Sequence, residues 1–207
     1  MKRLNNNLVI NTLAKKRLAI FSVDDFTKLF NVSSQRASNF LTRNSRQNFS
    51  FVKIKRGLYF ALANSPIKFE IANKIYQPSY ISFETALSFY NIIPETVYTI
   101  TSATTKTPKD LAVQDTRYKY FKLKKELFFG YKPAVIQQRI VLMADQEKAL
   151  LDYLYLSSLK KKLISNDRMN LSKIDKNKLG YYVKFFIKKV RKNKALIEAI
   201  KIIYKSL

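Results

Sequence analysis

Apolar side chains near the start of the chain recur at Leu4, Leu8, Ile10, Leu13 and Leu18, roughly one face of a helix. The spacing returns at Val23, Phe26, Leu29 and Phe30. Ser22 stands just ahead of that run as an N-cap, with Asp25 three residues on to complete a capping-box-like pair. Asn31, Val32 and Ser33 make a short turn, and either Ser33 or Ser34 caps a further helix. On that helix Ala37, Phe40 and Leu41 face inward. Residues 51–60 then read as two short strands around a turn at Arg56-Gly57, where glycine suits a positive φ.

Residues 62–66 break the pattern with Asn, Ser and Pro, so the sequence predicts a first domain over residues 1–64 and a second over 65–207. In the second, Ser82 caps a helix over residues 83–90 that Pro94 stops. Strands are predicted at 97–101, 118–123 and 140–143, and Asp145 caps a long helix. The tail predicts helices at 179–191 and 195–206, hinged near Asn193. Strands mixed with capped helices make this a small α+β arrangement. The basic N-terminal stretch is interrupted by Asn11, Lys15, Lys16 and Arg17, and no apolar run approaches the ~20 residues that span a bilayer. A soluble cytoplasmic protein with no membrane partner is expected.

Composition narrows the chemistry. The 207 residues include no Cys and no His. That excludes disulfides, the common zinc sites, Ser-His-Asp triads and imidazole bases. There are 39 basic against 14 acidic residues, for a formal charge of +25. Lysines (29) outnumber arginines (10), a usage typical of AT-rich coding, but such bias ordinarily raises Asp and Glu as well. Residues 1–64 carry twelve basic and two acidic side chains, 65–150 twelve and eight, and 151–207 fifteen and four. Two basic ends flank a nearly balanced middle, which calls for a polyanionic partner.

The outward face of the capped helix at residues 34–43 offers the means. It shows Gln35, Arg36, Ser38, Asn39, Thr42 and Arg43, with Arg36, Asn39 and Arg43 in one stripe. Arginine grips guanine bidentately, and Asn or Gln does the same for adenine, in a groove that admits a helix. Ser33 and Ser34 at the helix start suit phosphates. Lys53, Lys55 and Arg56 would lie along the backbone or minor groove as a basic wing. Alone, the stripe also fits a solvated polar face. Together with the hairpin it predicts a DNA-binding winged helix-turn-helix.

The carboxylates predict no catalytic site, no metal and no cofactor. Glu147 and Asp152 lie five apart and share a helix face poorly, and Glu147 complements a helix dipole. No Gly-rich loop accompanies them or Glu84, so a non-enzymatic protein is expected. The hydroxyls of residues 101–106 read as edge-strand threonines or, less simply, a phosphate cradle. The basic C-terminal helices suit packing on the second domain, their lysines widening a phosphate-contacting surface that extends to RNA.

The segments YISFETALSFYNIIPE (80–95), YTITSATTKTP (98–108) and ADQEKALLDYLY (144–155), behind RGLYFAL (56–62), resemble the AbiEi antitoxins. These are the regulatory halves of AbiE abortive-infection toxin–antitoxin systems. The resemblance spans roughly residues 21–155. It departs at Gln146, where the family often has proline, a residue equally tolerated at a first helical position. Residues 157–207 match only loosely. The resemblance implies an α+β chain: an N-terminal winged helix-turn-helix, then a small mixed α/β antitoxin domain with a helical C-terminus. It implies binding of double-stranded DNA at inverted repeats in the protein's own promoter. It also implies type IV opposition, without a stable complex, to a separately encoded nucleotidyltransferase-like toxin in phage defence. The alternative is a winged-helix regulator whose second domain senses a ligand or dimerises, with no toxin partner.

Overall fold

The computed structural model describes residues 4–46, 50–160, 168–190 and 193–207. The chain divides into two compact units, Met1–Ile75 and Tyr76–Leu207.

In the first unit, α1 (Asn6–Lys15) precedes β1 (Ile20–Ser22), α2 (Val23–Phe30) and α3 (Ser34–Arg46). Strands β2 (Phe51–Lys55) and β3 (Leu58–Ala61) follow, then α4 (Lys68–Ile75). The strands pair antiparallel in the order β1-β3-β2, so the strand ahead of α2 closes the hairpin into a three-stranded sheet. Residues 62–66 do not end this unit. Leu62–Asn64 form a 3₁₀ turn that leads on to α4, whose last carbonyl, at Ile75, accepts a hydrogen bond from Lys55 Nζ at 2.7 Å. Val9 and Leu13 of α1, Phe26 of α2, Ala37, Phe40 and Leu41 of α3, and Phe51 and Tyr59 of the hairpin share one core. On α1, Val9 joins Leu13 in facing inward, whereas Leu8, expected on that face, is exposed. Rings carry much of the packing: Phe40 lies 5.7 Å from Phe26 and 6.1 Å from Phe51, distances at which aromatic pairs attract beyond their buried area.

The second unit holds a mixed six-stranded sheet. Its elements are β4 (Ser79–Ile81), α5 (Phe83–Phe89), β5 (Ile100–Thr104), β6 (Lys109–Val113) and β7 (Thr116–Lys122). Then come β8 (Tyr131–Ile136), β9 (Arg139–Ala144), α6 (Gln146–Leu159), α7 (Lys176–Lys189) and α8 (Lys194–Ser206). The strand order is β6-β7-β5-β4-β9-β8. The pairs β5–β7 and β4–β9 are parallel and the rest antiparallel. The architecture is therefore α+β, with mixed sheet and a helical C-terminus, and contains eight α-helices among the described residues. Helix α6 is buried on most sides because α5, α7 and α8 all pack on it.

Several elements differ from the sequence pattern. The strand expected at 97–101 lies at Ile100–Thr104, leaving Tyr98 85% exposed. The hydroxyl-rich run is not at an edge, since β5 sits between β4 and β7, with Thr101, Ser102 and Thr104 buried. Helix α5 ends at Phe89, ahead of Pro94, where Asn91 adopts φ +54°. Helix α7 begins at Lys176, capped by Asp175. Strands β6 and β8 escape notice because edge strands exposed to water carry a weak apolar alternation.

Candidate nucleic-acid interface

Local chemistry fixes how α2 and α3 are presented. The Ser22 hydroxyl accepts the Asp25 backbone N–H at 3.0 Å while Asp25 Oδ2 accepts the Ser22 N–H at 2.8 Å, a complete capping box. That bond from the Ser22 backbone holds the Asp25 carboxyl below its usual range. Asn31 then turns the chain through φ +50°, a left-handed conformation that Asn tolerates. Of the two candidate caps for α3, Ser33 acts: its Oγ accepts the Arg36 N–H at 3.4 Å. Ser34 is the first helical residue and is exposed.

Because Ala37, Phe40 and Leu41 anchor α3 in the core, the opposite face points to solvent. Ser33, Gln35, Arg36, Asn39 and Arg43 all line one groove of about 690 Å³. Gln35 Nε2 donates to Asn39 Oδ1 at 3.0 Å, coupling the two amides across one turn. The far wall comes from the start of α1, through Asn5 and Asn6, which sequence reasoning passed over. Asn5 caps α1, and Asn6 Nδ2 donates to Asn44 Oδ1 of α3 at 2.8 Å, tying the two helices together. The signal was the Asn5–Asn7 run at a helix start, a preferred cap composition.

The hairpin adds charge. Gly57 takes φ +76° at its turn, and the Gly57 carbonyl accepts the Val23 N–H at 3.1 Å, anchoring the turn to the start of α2. Lys53 and Arg56 are exposed and form no ion pair with a described residue. Lys55 is exposed as well, but its ammonium is committed to the carbonyl end of α4, where a cation complements the helix dipole. Both acids of residues 1–64, Asp24 and Asp25, sit in the first turn of α2, so α3 and the hairpin carry none.

A second polar cluster lies inside the other unit. Lys148 and Asp152 form a fully buried ion pair on α6. Tyr80 OH and Ser82 Oγ donate to Asp152 Oδ2 at 2.9 and 2.8 Å, and Lys148 Nζ donates to Tyr80 OH at 2.8 Å. The rings of Tyr80, Phe129 and Phe186 surround the ammonium at 5.2–5.4 Å. Burial pushes the Lys148 ammonium down and the Asp152 carboxyl up from their ordinary values, and the pairing opposes both. Ser82 precedes α5 as expected, yet its hydroxyl serves Asp152 and makes no cap bond. Glu147 is buried too, accepting the Asp175 N–H at 3.0 Å and pairing with Lys178 at 2.8 Å, which fastens α7 to α6. Burial pulls the Lys178 ammonium down, but hydrogen bonds to Glu147 and Asp145 outweigh it and raise the group. The Lys148–Asp152 pair is enclosed and ties β4 to α6, while Lys178 keeps part of its side chain in solvent.

Among the described residues no three His, Cys, Asp or Glu side chains gather as a metal site, and no helix is long and apolar enough to cross a membrane. No protein-family model matches the chain, and no curated protein matches its sequence.

Proposed function

We propose that the first unit is a winged helix-turn-helix that reads double-stranded DNA, with α3 as recognition helix and the β2–β3 hairpin as wing. The observation that carries this reading is the convergence of Ser33, Gln35, Arg36, Asn39 and Arg43 on one open groove. A bidentate guanine reader, two amides suited to adenine and a helix start suited to phosphate stand on a face with no acid. Arg56 and Lys53 extend the charge along the hairpin. Following the resemblance to AbiEi antitoxins, the protein represses its own operon at inverted repeats. It also opposes a separately encoded nucleotidyltransferase-like toxin, without itself being an enzyme.

Binding to the DNA upstream of the gene, measured against random duplex across a salt series, tests the first half. A preference of at least about 10³ at physiological salt supports sequence reading. Equal, steeply salt-dependent binding to both overturns it. The antitoxin half is tested by expressing the neighbouring gene with and without this protein: toxicity relieved only by this chain supports it.

A second reading, a regulator whose second unit senses a small molecule, draws on a pocket of about 370 Å³ walled by Phe128, Tyr131 and Leu142. Ser79 lines that pocket, and its buried Oγ has no hydrogen-bond partner. A metabolite that changes operator affinity, with no toxic neighbour, would favour this reading.

A further inference from the structure

Helix α7 is amphipathic in an unusual sense. Its inner face buries Leu179, Val183 and Phe186, so its apolar stripe already packs within the second unit. The outer face nevertheless carries two more aromatic rings, Tyr181 at 73% exposure and Phe185 at 40%. They stand one turn apart, about 6 Å along the axis. Exposed lysines 184 and 188 alternate with them on the same face, and neither pairs with an acid among the described residues. The helix itself has no Asp or Glu. Phe129 meets Phe185 edge-on at 4.9 Å and supports that ring, while Tyr181 lies 6.1 Å from the ring of its chain neighbour Tyr182. Lys124 reaches the Lys189 carbonyl at 3.5 Å, bringing another cation to the C-terminal end of the helix. Asp145 and Glu147 meet α7 through Tyr182 and Lys178, Asp175 caps its start, and Glu126 stands on the 3₁₀ turn Lys125–Leu127 that packs on the helix.

We infer that the outer face of α7 binds single-stranded nucleic acid, with bases stacking on Tyr181 and Phe185 and phosphates held by Lys184 and Lys188. Exposed rings interleaved with unpaired cations are what an unpaired strand requires, because every base offers a π-face and every linkage a negative charge. A duplex keeps its bases stacked on one another and offers these rings nothing. An anionic lipid surface needs a continuous apolar face, and that face of α7 is spent on the core. The surface belongs to the second unit and α3 to the first, so this inference stands or falls apart from the reading of the first unit.

Fluorescence anisotropy with labelled oligouridylate, oligothymidylate and a random duplex, at ~150 mM salt, tests it in the full-length chain. Arg36→Ala and Arg43→Ala are included in the background to weaken duplex binding at α3. Single strands are expected to bind more tightly than duplex, and Tyr181→Ala to weaken them roughly 5- to 100-fold. Tyr181→Phe keeps the ring and the affinity, while Lys184→Ala lowers the salt slope by about 0.7. Tighter binding of either the uridylate or the thymidylate strand than of the duplex supports the inference. Unchanged affinity in Tyr181→Ala overturns the inference. So does Tyr181-dependent binding to phosphatidylserine vesicles without single-strand binding. The exposure of Tyr181 leaves the fold intact in both variants.

Discussion

Lys148 and Asp152 pair across a single turn of α6 with no solvent reaching either side chain. Burying two charges is unfavourable unless geometry and extra hydrogen bonds compensate. Here Tyr80, Ser82 and three aromatic rings supply the compensation. The pair thereby joins β4, whose Tyr80 it holds, to α6, so one ionic contact registers sheet against helix.

Removing one partner strands the other. Lys148→Met is expected to destabilise the protein by about 3–5 kcal/mol in urea unfolding. The double variant Lys148→Met/Asp152→Leu should recover a large part of that loss. A double variant no more stable than the single would mean that the charges themselves support the fold.

Gly130 and Gly57 share a left-handed backbone but not their surroundings. A Cβ at Gly130 would sit 2.9 Å from Lys148 Cγ, on a side chain that Asp152 and Tyr80 hold in place. A Cβ at Gly57 would meet nothing within 4 Å. Gly57→Ala should cost about 1–2 kcal/mol of backbone strain. Gly130→Ala should cost about 1–3 kcal/mol more through overpacking. Thermal melts of the two variants compare them directly.

Buried phenols give the second unit an alkaline limit. Burial pushes Tyr118 up to about 12, and burial with the Asp145 hydrogen bond does the same for Tyr182. Tyr80 and Tyr120 are raised by burial as well. The unfolded chain releases these protons near pH 10 while the folded one retains them. The resulting stability is complete below pH 10 and disappears as pH rises through about 12. The urea midpoint should fall across that window, and phenolate absorbance should rise with unfolding.

The capping box responds at the opposite extreme. The folded Asp25 carboxyl lies below its ordinary 3.8, so its contribution is present above that value and lost as pH falls through the lower folded one. Asp25→Asn should therefore lose stability relative to the parent at neutral pH and converge with it in acid. Ser22→Ala should cost about 0.5–2 kcal/mol. Chemical denaturation at several pH values measures both.

The proposed DNA contacts separate by role. Arg36→Ala or Arg43→Ala should cost about 1–3 kcal/mol on the operator and relax specificity at one position. Lys53→Ala or Arg56→Ala should weaken all duplexes alike and reduce the salt slope by about 0.9. Lys55→Ala should instead lower the stability of the first unit, because its ammonium serves the end of α4. Binding isotherms on operator and random DNA, beside melting curves, distinguish the three classes.

What the sequence alone determined lies within short reach along the chain. The Ser22–Asp25 box, the inward Ala37, Phe40 and Leu41, the turn at Gly57 and the Asp145 cap all follow from spacing over a few residues. A helix or hairpin is selected by such local periods and caps. Weighing Asp152 against Glu147 misses its partner Lys148, one turn away on the same helix, because the burial that makes that pair matter is a tertiary property. Tertiary structure alone decided that the Ser82 hydroxyl leaves its helix for Asp152, that Thr101 and Ser102 lie mid-sheet, and that Asn6 meets Asn44 beside Arg36. Each of these depends on which distant segments become neighbours. That is set by the joint burial of strands and helices rather than by any window of sequence.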